Sequence, residues 1–251
     1  MNATSKPLAT GRIAIAAIAL WSFTILVPPV TGEAQPKQAP PAAPASDAKA
    51  TTASAPVYKP PLRGAPGGRV GGGTRGTGRE AFILSVLAPA HTGLTTSEQP
   101  VLYWFISSPS SHPVELTLVD PQKSDPLIEL RIPPPVAAGV HRVSLAEHGV
   151  RLNPAIAYQW YVAVMPDTGR RSKDILAGAS LERVAVPDDL GAKVSSASKA
   201  DLPAVYAGAG IWYDAIAALN ELIAAAPQDA ALRTQRSALL REVGLPDTTT
   251  E

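Results

Sequence analysis

The sequence predicts a mostly β protein with an α-helical tail, an antiparallel β-sandwich followed by a helical hairpin and a third helix. Three observations carry this. From Phe82 to Val186, short apolar or alternating runs are separated by turn-forming residues, with no helical spacing between them. From Asp201 onward the apolar spacing becomes helical. Before both, residues 35–61 hold little but Ala, Pro, Thr and Ser with scattered lysines, and such a stretch has nothing to bury against its ordering entropy.

The β region, residues 81–188, starts with two continuous apolar runs, Phe82–Leu87 and Val101–Ile106. Val114, Leu116 and Leu118 then alternate with Glu115 and Thr117, and Ile128, Leu130 and Ile132 alternate around Glu129 and Arg131. Val140–Leu145, Tyr158–Val164 and Leu181–Val186 complete the set. The breaks carry turn chemistry: Ser108-Pro109, Asp120-Pro121, Pro133-Pro134-Pro135 and Asp167-Thr168-Gly169. Short strands without intervening helices fit a sandwich of about 100 residues.

Leu152-Asn153-Pro154-Ala155-Ile156-Ala157-Tyr158-Gln159-Trp160 resembles the corner before the second-last long strand of immunoglobulin and fibronectin type III folds. The resemblance implies an immunoglobulin-like sandwich in which the Tyr158 hydroxyl bonds back to upstream backbone. Trp160 and Trp104 then become core rings between the two sheets. A fold of this kind carries no statement about function.

After a linker at 189–200, a helical segment is expected over 201–245. Asp201 caps a short helix with Pro203 in its first turn, and Gly208-Ala209-Gly210 breaks it. A second helix carries Trp212, Ile216, Leu219 and Ile223 along one stripe, flanked by Ala215 and Leu222, and stops at Pro227. Asp229 caps a third helix bearing Leu232, Leu239, Leu240 and Val243, ended by Gly244 and Pro246. Residues 246–251 are expected to be a disordered tail. Tyr206, Gly210, Trp212, Ala215, Ile216, Leu219 and Pro227 also resemble one tetratricopeptide unit. One unit cannot form the concave groove of an array, so a hairpin packed on the sandwich competes with a peptide-docking surface.

The N-terminus has the layout of an export signal, residues 1–34. Lys6 and Arg12 precede an apolar run from Ile13 to Val27, closed by Pro28 and Pro29. The run is shorter than the roughly 20 residues of a membrane-spanning helix, and Ser22 and Thr24 interrupt it. Small residues stand at cleavage spacing, Gly32 and Ala34 before Gln35, or Val30 and Gly32 before Glu33. The expected product is a periplasmic or secreted protein starting near Gln35, with no membrane span after cleavage. The competing reading is an uncleaved N-terminal anchor.

Between linker and sandwich lies an Arg/Gly-rich lead-in, residues 62–80. Arg63, Arg69 and Arg75 recur among glycines whose exposed N–H groups are ingredients of an anion site. A phosphate-gripping loop is not present, because no lysine follows the glycines and no strand precedes them. The alternatives are a structural segment, either a flexible lead-in or a strip laid along the domain, and a contact with an anionic surface.

Composition narrows the chemistry. The absence of cysteine excludes disulfides, thiol nucleophiles and thiolate metal sites. A net charge of +1 gives no global field for nucleic acid or anionic membrane, and no nucleic-acid partner is expected. His91, His112, His141 and His148 show no metal-ligand spacing, and no Gly-x-Ser-x-Gly elbow occurs. No catalytic residue, metal site or cofactor is therefore assigned. Asp214, beside Trp212 and Tyr213, is the polar position of most interest. It either orders a partner's cation near aromatic faces or braces its helix through the positive end.

The order of these pieces resembles a bacterial family of unknown function, domain-of-unknown-function family 928. The residues that carry the likeness are Arg63-Gly64-Ala65-Pro66 through Gly71-Gly72-Gly73-Thr74-Arg75-Gly76, then Leu87-Ala88-Pro89 and Gly93-Leu94-Thr95. Pro100 to Phe105, Tyr158-Gln159-Trp160 and Gly210-Ile211-Trp212-Tyr213-Asp214-Ala215 follow. The resemblance implies an exported protein without an assigned activity, and a lead-in that belongs to the domain. The function expected is a non-catalytic interaction or structural module of the cell envelope, its partner an envelope protein or glycan. The candidate contacts are Arg63, Arg69, Arg75, Trp212, Tyr213 and Asp214. The alternatives are a binder of envelope glycan or anionic polymer through the Arg/Gly segment, and a cryptic hydrolase.

Overall fold

Among the described residues, nine strands in two sheets precede four α-helices. The computed structural model describes residues 55–61, 69–71, 74–75 and 82–248. The expected leader, most of the Pro/Ala linker and Arg63 lie outside the described residues. No helix among the described residues is long and apolar enough to cross a membrane.

One sheet has the order β1 (Thr74–Arg75), β2 (Phe82–Val86), β4 (Val101–Ile106), β7 (Gly139–Ser144). The other runs β3 (Gly93–Thr95), β9 (Ile175–Arg183), β8 (Ala157–Val164), β5 (Val114–Val119), β6 (Ile128–Ile132). Neighbours are antiparallel except β3, which runs parallel to β9.

Side-chain alternation fixes the register. Val114, Leu116 and Leu118 of β5 pair with Val164, Val162 and Trp160 of β8, putting all six on one buried face. Across β8, Trp160 and Val162 oppose Ala179 and Ala177 of β9. Small residues there leave room for the indole. From the other sheet Leu84, Val86, Leu102, Trp104 and Ile106 join the same apolar core. Trp104 and Trp160 are both buried, as expected of core rings. The Asn153 N–H donates to Tyr158 Oη at 2.9 Å, the upstream bond anticipated for that tyrosine.

The helices are α1 (Asp188–Ser196), α2 (Leu202–Gly208), α3 (Trp212–Ala225) and α4 (Ala230–Glu242). The first occupies most of the stretch read as a 189–200 linker. Its Asp188 and Asp189 sit in the first turn, where the helix dipole favours them, and Leu190 is buried. Asp229 caps α4 as expected, accepting from Ala231 N at 2.8 Å. Asp201 stands at the N-cap of α2 but makes no side-chain cap; its Oδ2 accepts from Ser198 Oγ at 2.6 Å. On α3 the expected stripe is buried at Trp212, Ile216 and Leu219 with flanking Ala215, is half-buried at Ile223, and packs on β3 and β4.

Three flanking segments are more ordered than their composition suggests. Tyr58, at the end of the Pro/Ala stretch, is buried with its ring edge-on to Trp212 at 5.0 Å. Its N–H donates to Glu242 Oε2 at 2.6 Å, and Lys59 N donates to Ala207 O at 3.0 Å. In the lead-in, Val70 exchanges two backbone hydrogen bonds with Gly178. Gly71 follows at φ +71°, where a Cβ would lie 2.0 Å from Leu176 O, so only glycine fits the crossing. In the tail, Thr248 is buried and Asp247 accepts from Ser237 Oγ at 2.7 Å, which corrects the expectation of disorder for 246–248.

Candidate functional site

Trp212, Tyr213 and Asp214 open α3, and each grips a different part of the β body. Trp212 Nε1 donates to Leu87 O at 2.8 Å, just past β2. Tyr213 Oη donates to Ser180 O at 3.1 Å and accepts from Trp160 Nε1 at 2.9 Å. Burial pushes the Tyr213 phenol up, and the Trp160 bond partly offsets this. Asp214 accepts from Thr96 N at 2.9 Å and Thr96 Oγ1 at 3.2 Å. Burial holds its carboxyl above the usual range, against the pull of the Thr95 and Thr96 hydrogen bonds.

Both aromatic rings are fully enclosed, so neither offers a face to a partner. Asp214 braces α3, and its partner is the loop after β3 rather than the turn before its own helix. The α2–α3 pair that resembles a tetratricopeptide unit thus lays its Trp212 side on the sheets. That places the hairpin reading on geometry and leaves the docking reading without these two aromatics.

Arg69 also turns inward. Its guanidinium donates to Ala88 O at 3.4 Å, Val243 O at 3.3 Å and Gly244 O at 3.2 Å. A cation at the carbonyl end of α4 meets the negative pole of that helix. Arg69 is therefore a clasp between lead-in, β body and α4. Arg75 supplies backbone to β1, paired with Phe82, and Arg63 lies outside the described residues.

The concave surface lies where α3 crosses β4. One cleft, about 260 Å³, is lined by Thr95, Ser97, Gln99, Tyr206, Asp214 and Glu221 among others. A second, about 460 Å³, is lined by Tyr103, His141, Arg142, Asn220, Glu221 and Arg236 with Val101, Ile223 and Ala224. Val101 and Glu221 line both, so the two abut as one groove. The first part carries the carboxylates of Asp214 and Glu221; the second shares Glu221 and adds two guanidinium groups.

Charges act directly on the phenols of this groove. Burial pushes Tyr103 up to about 12, Glu221 adds to the rise, and Arg142 opposes it. Tyr206 is raised by burial and by Asp214 and Glu221. Behind the second part, Arg236 Nη1 donates to Asn220 Oδ1 at 3.0 Å. His141 stacks on Trp104 at 5.3 Å, and its Nε2 lies 2.8 Å from Ala137 O. Since a carbonyl oxygen only accepts, that nitrogen carries the proton.

A third cleft, about 350 Å³, lies beside Tyr58, His91 and Glu242, where Tyr58 Oη and His91 Nε2 are 2.8 Å apart. Among the described residues no group of three or more His, Asp or Glu side chains converges as a metal site.

Sequence reasoning missed the groove. Tyr103 sits in a continuous apolar strand, and Asn220 and Arg236 look like interruptions of two helical stripes. The available signal was that continuity, since a strand apolar on both faces is covered on both. Two polar groups at buried helical positions were the other signal.

No curated protein matches the chain. The family model described as Domain of Unknown Function (DUF928) matches residues 70–251, which takes in the β body, the Val70–Gly71 crossing and all four helices. With most of its length inside that match, the chain belongs to the DUF928 family.

Proposed function

We propose that this protein is an exported, non-catalytic binding module of the cell envelope, with the groove between α3 and β4 as its ligand surface. The observation that carries the reading is the abutment of an acidic cleft and an arginine-bearing cleft, sharing Glu221, on a rigid seat. The seat is rigid because Trp212, Tyr213 and Asp214 fasten α3 to both sheets. Export rests on the charged, apolar, small-residue order of residues 1–34. Asp214 is held by the amide and hydroxyl of Thr96, an arrangement suited to fixing shape rather than moving protons.

The β body serves this reading as an immunoglobulin-like sandwich. The Tyr158 hydrogen bond to Asn153, the parallel β3–β9 pairing and the placement of β8 between β9 and β5 support that assignment.

Cell fractionation with N-terminal sequencing, joined to photo-crosslinking, tests the proposal. A crosslinker at Ala224, on the groove, is expected to give specific adducts in the periplasmic fraction, and one at exposed Val186 none. The mature chain is expected to begin at Gln35. A folded cytosolic protein with its leader intact, equal adducts from both positions, or substrate turnover by the pure protein would overturn it.

A further inference from the structure

The second part of the groove contains donors that lack acceptors. Tyr103 is only 6% exposed and lines the cleft, yet its hydroxyl makes no hydrogen bond to a described residue. Asn220 is 8% exposed. Its orientation is fixed, because Oδ1 accepts from Arg236 and a guanidinium can only donate. Its Nδ2 is therefore the donor left over, and it is buried without an acceptor. Unsatisfied buried donors are uncommon and call for an explanation.

Two guanidinium groups and one carboxylate, Glu221, line the cleft. Arg236 stands behind Asn220, and Arg142 stands near enough to Tyr103 to act on its phenol. Arg142 pairs with Glu147 at 3.1 Å, but both side chains are more than half exposed, so that pair is weak and exchangeable. Glu221 marks the boundary with the acidic part and repels an anion from it. Apolar wall comes from Val101 and Ile223.

We propose that this cleft binds the carboxylate of an amphiphilic organic acid, held by Tyr103 and Arg142, which pair across β4 and β7, with its apolar body against Val101 and Ile223. A carboxylate is acceptor-only, takes several donors at once and is matched bidentately by guanidinium. The carboxylate belongs either to a short free acid or to the C-terminus of a peptide. The assignment rests on the groove being the ligand surface.

Calorimetric titration of the full mature chain at low salt tests it, with 4-methylpentanoate, acetyl-Ala-Leu with a free C-terminus, the amide of each, and inorganic phosphate. At least one acid is expected to bind and neither amide. Binding of the free acid assigns the small-molecule source, and binding of the peptide acid alone assigns the C-terminal source. Tyr103→Phe and Arg142→Gln are each expected to weaken binding about tenfold or more. Glu221→Gln is expected to leave it equal or tighter. Arg142 is exposed, so its variant keeps the test sound should Tyr103→Phe disturb folding. No heat with either acid, amides that match acids, phosphate that matches both, or acid binding unchanged in Arg142→Gln would overturn the proposal. Specific adducts at Ala224 together with silent titrations would sink the carboxylate assignment and leave the groove reading standing.

Discussion

Trp160 Nε1 donates to Tyr213 Oη across 2.9 Å, and through that bond the central strand of one sheet holds the first turn of α3. The same hydroxyl donates to Ser180 O on β9, so one phenol satisfies an indole and a strand carbonyl in a dry interior. A buried pair of this kind is worth most when both members are present, because either alone leaves an orphan polar group.

Tyr213→Phe is accordingly expected to cost about 1–3 kcal/mol, since it strands the Trp160 N–H. Denaturant unfolding of Trp160→Phe, Tyr213→Phe and the double variant checks this. The double variant should lose clearly less than the sum of the singles. Strict additivity would mean that the bond contributes nothing.

Arg69→Met is expected to destabilise the fold by about 1–2 kcal/mol, by removing donors to the carbonyls closing α4. Binding of an anionic polysaccharide should be the same in Arg69→Met and wild type. A marked loss of such binding in Arg69→Met, with unchanged stability, would restore the reading of the lead-in as an anion contact.

Two carboxylates give stability opposite dependences on pH. Arg171 donates to both oxygens of Glu115 and holds its carboxyl below the usual range, chiefly by hydrogen bonding, against a smaller rise from burial. That stabilisation is present above the ordinary glutamate value of about 4.3 and is lost as pH falls through the lowered folded value. Asp214 is raised by burial, so its contribution is full below the ordinary aspartate value of about 3.9 and is lost as pH rises through the raised folded value. Unfolding midpoints measured against pH should show Glu115→Gln flattening the acid limb. Asp214→Asn should flatten the decline that follows as pH rises above the ordinary aspartate value. Superimposable profiles for Asp214→Asn and wild type would refute the second part.

Gly71→Ala is expected to detach the lead-in from β9. The new Cβ would meet Leu176 O at 2.0 Å, and a φ of +71° adds about 1–2 kcal/mol for an L-residue. Limited proteolysis should then cut near Val70 much faster than in wild type, with β8 and β9 still protected. Unchanged cleavage would show that the Val70–Gly178 bridge does not hold the segment.

Elements with a clear period were legible in the sequence. The alternation of Val114, Leu116 and Leu118 and the Trp212–Leu219 stripe appear where the pattern put them. The strand expected at Leu181–Val186 instead begins at Ile175 and ends at Arg183. Its middle, Ala177-Gly178-Ala179-Ser180, has little strand propensity. It is a strand because it lies between β3 and β8, where small residues fit beneath Trp160 and Tyr161 and beside Val70. Gly93–Thr95 and Thr74–Arg75 were missed for a related reason, being too short to show a period.

By itself the sequence determined the order of β body and helical tail, the family, and the residues that form the core, because hydrophobic periodicity is written locally. Only the tertiary structure decided what Arg69, Trp212, Tyr213 and Asp214 do. Each looks outward-facing or ambiguous along the chain, and each is fixed by a partner more than fifty residues away in another element, Val243, Leu87, Trp160 and Thr96 respectively. The groove has the same origin. Its charges come from β7, α3 and α4 and its Tyr103 phenol from β4, and burial and charge proximity exist only once those elements pack.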